Sequence, residues 1–135
     1  MREAATVVAL PAMKGVEWVV EAFDCSPQSL RNLATLQELF ERIIREMKLR
    51  PVAPVQWHEF PHTNGITGLC LLAESHLACH TFPEYSTLCL NLFCCSPRAP
   101  WDFKAGLMEL LGAKRVSVRR LERPYGAAKQ QVASD

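Results

Sequence analysis

The sequence predicts an α+β fold in which two helices pack on one face of a mainly antiparallel sheet. Two observations support this class. The predicted elements follow the order strand, helix, several strands, helix, strand, and the first helix has an apolar face that fits a flat surface. The 135 residues suffice for one hydrophobic core and contain no internal repeat or long linker. We therefore expect a single domain over residues 15–122, with flexible termini at 1–14 and 123–135.

The first predicted elements are a strand and a long helix. Residues 16–23 are rich in β-branched and aromatic side chains, which favours a strand. Ser26 can cap the helix that follows, and Pro27 suits its first position because the missing N–H has no partner there. Apolar residues then recur at spacings of three and four, namely Leu30, Leu33, Leu36, Phe40, Ile43, Ile44 and Met47. Since these residues share one face, the helix is expected to lie on the sheet.

The remaining segments are predicted to form four strands, a second helix and a last strand. Prolines, glycines and polar turns separate them. The strands are a short one near an edge at 55–60, then 66–73, 76–82 and 87–95, and finally one containing Val116 and Val118. The second helix is predicted from 101 to its end at Gly112.

Composition and charge exclude several classes of function. Lys and Arg number 15 against 14 Asp and Glu, so the net charge of +1 provides no basic field for nucleic acid. No apolar run approaches the roughly 20 residues that span a membrane. We interpret segment 4–13 as a loose leader rather than an export signal. Six cysteines without such a signal indicate a reducing compartment, by default the cytoplasm.

The cysteines and histidines do not form the pattern of a metal site. The sequence contains no Cys-x-x-Cys pair, and His76 and His80 on an extended strand would lie about 13 Å apart. We therefore predict no metal. Four cysteines are interpreted as small buried hydrophobic residues, namely Cys25, Cys70, Cys79 and Cys89.

Reactive polar side chains crowd the apolar strands between residues 65 and 95. They include Glu74, Ser75, His76 and His80. Burying such groups costs several kcal/mol unless each one is hydrogen-bonded. Function is one reason for a sequence to place them there.

The connection between strands 76–82 and 87–95 leaves the register open. If it has five residues, 83–87, antiparallel pairing sets Ser75 opposite Cys95. If it has four, 83–86, Ser75 faces Cys94, since a slip of one residue exchanges the two faces of a strand. Periodicity alone does not choose the cysteine.

Residues 73–85, Ala-Glu-Ser-His-Leu-Ala-Cys-His-Thr-Phe-Pro-Glu-Tyr, followed by Leu-Phe-Cys-Cys at 92–95, carry a resemblance to a known family. They resemble the processing and active-site region of bacterial S-adenosylmethionine decarboxylase proenzymes, and weaker similarity extends from Glu17 to about Arg119. The resemblance implies the decarboxylase-like sandwich and a precursor that cuts itself between Glu74 and Ser75. Ser75 then becomes a pyruvoyl cofactor whose ketone forms a Schiff base with the substrate amine.

The resemblance also implies roles for individual residues. His80 matches the processing histidine, and Thr67 lies where a hydroxyl residue supports that step. Cys95 matches the proton donor, which favours the five-residue register. Phe82 and Glu84 match substrate-binding positions. The implied substrate is S-adenosylmethionine, whose decarboxylation yields the aminopropyl donor for spermidine synthesis, and the implied assembly is a homodimer of processed protomers.

Five positions depart from the family pattern, namely Phe82 for tryptophan, Ser86 for glycine, Asn91 for aspartate, Cys94 for threonine and Ser96 for glycine. A smaller aromatic ring and a lost carboxylate alter how a cationic substrate is held. Two alternatives therefore stay open. One is a pyruvoyl-dependent decarboxylase of another amino acid, such as arginine or ornithine. The other is a homologue that binds a partner and never processes itself.

Overall fold

The computed structural model describes residues 13–126, within which six strands, three helices and one 3₁₀ turn follow one another. The strands are β1 (Lys14–Phe23), β2 (Gln56–Glu59), β3 (Ile66–Leu72), β4 (Ser75–Phe82), β5 (Thr87–Cys94) and β6 (Arg115–Pro124). The helices are α1 (Pro27–Leu30), α2 (Leu33–Glu46) and α3 (Phe103–Leu111), and the 3₁₀ turn is Pro83–Tyr85.

The six strands form one antiparallel sheet in the order β2-β3-β4-β5-β1-β6. Alternate residues of the central strands, such as Trp18 and Leu90, are buried in one core with the helices. The opposite side, which carries Glu17, Thr67 and His80, has no described element packed over it, and we call it the open face. This arrangement confirms the predicted α+β class.

The first helical region is divided, whereas one continuous helix was expected. Ser26 caps α1 as predicted, and its Oγ accepts a hydrogen bond from the amide of Ser29 at 3.3 Å. Asn32 then takes an extended conformation and accepts from the amide of Thr35 at 3.2 Å, which caps α2. An asparagine side chain that bonds the backbone in this way competes with the helical ladder, so the helix restarts at Leu33.

The outer strand pair extends past the predicted bounds 15–122. Strands β1 and β6 pair along their full length, and Lys14 lies opposite Pro124. Mutual hydrogen bonding therefore orders residues that were expected to be flexible. The rest of the predicted flexible termini, 1–12 and 127–135, lies outside the described residues.

The connection between β4 and β5 has four residues, so the five-residue register was wrong. Ser86 adopts a left-handed conformation (φ 52°) and its amide donates to the carbonyl of Pro83 at 3.1 Å. This turn places Thr87 opposite Phe82. The pairing then continues to Ser75, which lies opposite Cys94 rather than Cys95.

Candidate active site

The predicted cleavage site lies at the tip of the β3–β4 hairpin. Leu72 pairs with Ser75, so Ala73 and Glu74 alone form the connection. The amide of Ala73 donates to the carbonyl of Arg50 at 2.8 Å, and the Arg50 guanidinium lies 3.5 Å from the Glu74 carboxylate. The Glu74–Ser75 bond thus lies in a tight turn at the end of the sheet.

A backbone donor contacts the carbonyl that the serine would attack. The amide of Cys95 donates to the carbonyl oxygen of Glu74 at 3.2 Å. A fixed N–H at this position stabilises negative charge that develops on the oxygen during attack. Cys95 itself is half-buried and follows the last residue of β5.

The two adjacent cysteines have different surroundings. Cys94 is buried, and burial raises the pKa of its thiol, although the charge of Arg98 and hydrogen bonds with Ser75 and Arg98 act in the opposite direction. Cys94 therefore presents a neutral thiol to Ser75 at neutral pH. Cys95 lies one residue beyond the strand, and its backbone amide is hydrogen-bonded to the Glu74 carbonyl.

The two residues predicted to support processing contact each other. Thr67 and His80 are paired across β3 and β4, and Thr67 Oγ1 lies 3.0 Å from His80 Nδ1. Both belong to the open face, and His80 is exposed. Within one chain, however, His80 is five residues from Ser75 along an extended strand, which is about 16 Å. The odd spacing also puts the two side chains on opposite faces.

The two predicted substrate-binding residues share a groove at the far end of β4. Phe82 and Glu84 line a mostly apolar groove of about 330 Å³ together with Phe60, Pro61, His62, Thr63 and Thr81. Phe60 was not identified from the sequence, although an aromatic residue beside a proline turn is a signal for it. Since β4 spans seven residue steps, the groove lies about 23 Å from Ser75 of the same chain.

A polar network on the open face was also missed. Asn91 Nδ2 lies 3.1 Å from Glu17 Oε2 and 3.2 Å from His76 Nε2, and Arg123 pairs with Glu17. An amide nitrogen only donates, so His76 accepts through Nε2 in this arrangement. The His76 ring also stacks on Phe93, with centroids 5.9 Å apart. The departure from aspartate at position 91 is the sequence signal for this network.

Comparison with known proteins decides the family. The S-adenosylmethionine decarboxylase family model matches residues 16–124. The chain belongs to this family.

Individual relatives agree with the family match. The S-adenosylmethionine decarboxylase proenzyme of Thermotoga maritima is 31% identical over 110 residues, covering 81% of this chain and 83% of that protein. The proenzyme of Caldicellulosiruptor saccharolyticus is 30% identical over 109 residues, covering 78% and 84%. The crystal structure of the adenosylmethionine decarboxylase from Aquifex aeolicus has a TM-score of 0.69 at 22% identity, covering 84% of this chain and 92% of that one. This last similarity concerns the fold.

As a member of the S-adenosylmethionine decarboxylase family, the chain is a carboxy-lyase made as a zymogen. Self-cleavage that yields a pyruvoyl group is a general property of the family. Between residues 13 and 126, no three His, Cys, Asp or Glu side chains converge as they would around a metal ion. None of the described helices is long and apolar enough to cross a membrane.

Proposed function

We propose that this chain decarboxylates S-adenosylmethionine to the aminopropyl donor for spermidine synthesis, using a pyruvoyl group formed from Ser75 by cleavage after Glu74. One observation carries the proposal. In a chain of this family, the Glu74 carbonyl lies at a hairpin tip with a backbone donor already on its oxygen, and Ser75 is the next residue. A serine at a polarised carbonyl in a tight turn suits attack by its own hydroxyl.

Self-cleavage is proposed to proceed through an ester. Ser75 Oγ attacks the Glu74 carbonyl carbon, the C–N bond breaks, and the hydroxyl proton passes by way of His80 of a second protomer to the released amine of Ser75. Loss of the Ser75 Cα proton then breaks the Cβ–Oγ bond. This step releases chain 1–74 with a main-chain carboxylate on Glu74 and leaves residue 75 as dehydroalanine. This group tautomerises to an imine, and water replaces its nitrogen, which leaves as ammonia. The products are chains 1–74 and 75–135, the second beginning with a pyruvoyl group.

The mature site is proposed to combine the pyruvoyl group with the side chains of Cys95, Phe82 and Glu84. The pyruvoyl ketone supplies an electron sink that binds the substrate amine and weakens the bond to its carboxylate. Cys95 is proposed to return a proton to the substrate carbon after carbon dioxide leaves. Phe82 offers an aromatic face to the adenine or the sulfonium, and Glu84 accepts hydrogen bonds from the ribose or the amine.

The separation of these groups supports a homodimer. Thr67 and His80 form their pair about 16 Å from Ser75 of the same chain. A second protomer related by two-fold symmetry, open face against open face, would bring its pair to the hairpin tip that carries the Glu74–Ser75 bond and place its Phe82 groove beside the same site. The open face also exposes large apolar side chains that such pairing would bury, namely Leu69, Leu71 and Leu121.

The proposed compartment is the cytoplasm, where thiols stay reduced. All six cysteines lie within the described residues and none is in a disulfide. Exported domains of this size use such cysteines in disulfides far more often than cytoplasmic enzymes do. Free cysteines therefore fit a cytoplasmic enzyme that acts on a small soluble substrate.

Intact mass spectrometry of the purified protein tests the proposal. We expect two chains, 1–74 and 75–135, with the second chain reactive toward a carbonyl reagent such as phenylhydrazine, and Ser75→Ala should remain whole. Carbon dioxide release is then measured in parallel from S-adenosylmethionine, arginine and ornithine. A single uncut polypeptide that no carbonyl reagent modifies would refute the proposal, and release from arginine or ornithine alone would refute the substrate.

A further inference from the structure

Cys95 lies just outside the sheet that orders its neighbours. The last pair between β4 and β5 joins Ser75 to Cys94, and the last pair between β1 and β5 joins Val16 to Cys94. Both ladders therefore end one residue before Cys95. The position of the Cys95 amide, which contacts the Glu74 carbonyl, depends on other contacts.

A tyrosine beyond the end of β6 provides one such contact. The Tyr125 hydroxyl donates to the carbonyl of Cys95 at 2.9 Å. Tyr125 is itself held, because its amide donates to the carbonyl of Met13 at 3.0 Å. Cys95 is thus bonded through both of its main-chain groups, to Glu74 on one side and to Tyr125 on the other.

We propose that Tyr125 is a positioning residue for self-cleavage, because it holds the Cys95 main chain where its N–H remains on the Glu74 carbonyl oxygen. The inference rests on the proposed cleavage between Glu74 and Ser75. Tyr125 touches none of the reacting atoms and acts through Cys95. The same bond also fixes the backbone from which the Cys95 thiol projects, so it should matter again in the mature enzyme.

Removing the Tyr125 hydroxyl tests this role with little disturbance of the fold. Tyr125 is half exposed, so Tyr125→Phe removes one hydrogen bond and retains the ring. Freshly translated precursor is followed over time by intact mass. We expect Tyr125→Phe to cleave about three- to tenfold more slowly, which corresponds to the loss of one hydrogen bond in the transition state. The matched control is Tyr85→Phe, which removes the hydroxyl of a largely exposed tyrosine and should cleave at the wild-type rate.

Amide hydrogen exchange separates positioning from general stability. It is measured in the uncleavable Ser75→Ala chain, with and without Tyr125→Phe. We expect the Cys95 amide to exchange about three- to tenfold faster without the hydroxyl, while amides inside β5 and the melting temperature stay unchanged. In the mature enzyme, kcat should fall while KM stays the same.

Each outcome bears on one proposal. Equal cleavage rates for Tyr125→Phe and wild type, or an unchanged Cys95 amide, would overturn the role of Tyr125. A slower variant whose melting temperature and whole-sheet exchange change together would also overturn it, since that result describes a structural residue. A wild-type chain that never cleaves would instead refute the proposed function. Amide hydrogen exchange in the Ser75→Ala chain would still decide whether Tyr125 holds the Cys95 main chain.

Discussion

Adjacent residues of a β-strand have different chemistry when the strand ends between them. Cys94 is the last residue of β5, is buried, and has a thiol pKa raised by that burial. Cys95 is past the strand, half-buried, and bonded through its backbone to the carbonyl at the proposed cleavage site. A raised pKa makes the Cys94 thiol a weaker acid, whereas the backbone of Cys95 contacts the Glu74 carbonyl, so we propose Cys95 for proton donation.

Substitution of the two cysteines separates processing from turnover. Cys95→Ala should still cleave itself, since the backbone amide of residue 95 remains. It should decarboxylate S-adenosylmethionine about a hundredfold more slowly, because the proposed proton donor is missing. Cys94→Ala is the matched control and should keep kcat within about threefold of wild type. Cleavage is measured by intact mass and turnover by carbon dioxide release. Undiminished turnover in Cys95→Ala would remove that cysteine from the mechanism.

The buried thiol of Cys79 should make the free energy of unfolding fall as the pH rises in the alkaline range. Burial raises its pKa from 9.0 to about 12. Below pH 9 the thiol is protonated in both states, so the full stability is present. Between pH 9 and 12 the unfolded chain loses this proton and the folded chain keeps it, so the unfolding free energy falls as pH rises. The stability gap between wild type and Cys79→Ala should shrink by about 1.4 kcal/mol per pH unit above pH 9.

Denaturant titrations at fixed protein concentration with a reducing agent measure this gap. Other ionisable groups titrate equally in both proteins, so the difference between them isolates Cys79. A gap that remains constant from pH 8 to 10.5 would show that the thiol ionises in the folded protein as readily as in the unfolded one.

Site residues became predictable where the resemblance supplied them and stayed hidden where distant strands meet. Thr67 and His80 were assigned from the resemblance, and the structure places them in contact. The contact between Asn91 and Glu17 joins residues 74 positions apart, and predicting it requires knowing that β1 lies beside β5. Neither composition nor periodicity contains that information, because both describe short windows of chain.

At the level of elements, hydrophobic periodicity predicted which segments form strands but left the register of one hairpin open, and the resemblance favoured the five-residue register that the structure contradicts. The alternation of β5 is equally compatible with four-residue and five-residue connections. The choice depends on Ser86, whose left-handed conformation closes the shorter turn. The division of the first helix likewise depends on one side chain, Asn32, which caps α2 within an otherwise regular apolar stripe.

The same turn allows a test of stability. A non-glycine residue at φ 52° is strained by about 1–2 kcal/mol, whereas glycine is not, although glycine also adds freedom to the unfolded chain. Ser86→Gly should therefore stabilise the protein by about 0.5 kcal/mol in denaturant titrations and leave cleavage unchanged. Ser96→Gly is the control, since Ser96 has no positive φ and its replacement should destabilise by a similar amount. Loss of stability in Ser86→Gly would contradict the strain and with it the reason for the four-residue turn.

At the level of the whole molecule, the class of fold followed from the order of elements, but the order of strands did not. The sequence indicated strands 66–73, 76–82 and 87–95 as neighbours, since short connections leave little choice. It did not show that the first strand would lie between β5 and β6. That placement brings Glu17 and Arg123 to the open face beside Asn91, and it places Tyr125 near Cys95.

The proposed two-fold pairing predicts that active sites are shared between protomers. The hairpin tip that carries the Glu74–Ser75 bond of one chain would meet His80 and Thr67 of the other, because the same chain holds this pair about 16 Å from Ser75. Ser75→Ala and His80→Ala chains should each stay whole when expressed alone. When the two are coexpressed with different mass tags, only the His80→Ala chain should be cut. This chain retains Ser75, and its Ser75→Ala partner supplies the histidine.

The two-fold symmetry also predicts what fraction of the His80→Ala chains is cleaved after coexpression. With equal amounts and random pairing, about half of the His80→Ala chains enter mixed dimers, so about half should be cleaved in an intact mass spectrum. The Ser75→Ala chain is the internal control and should never be cut. Cleavage of His80→Ala alone would show that His80 is dispensable. A mixture that stays uncut, although native mass spectrometry shows mixed dimers, would place the whole processing site within one protomer and require β4 to change conformation before cleavage.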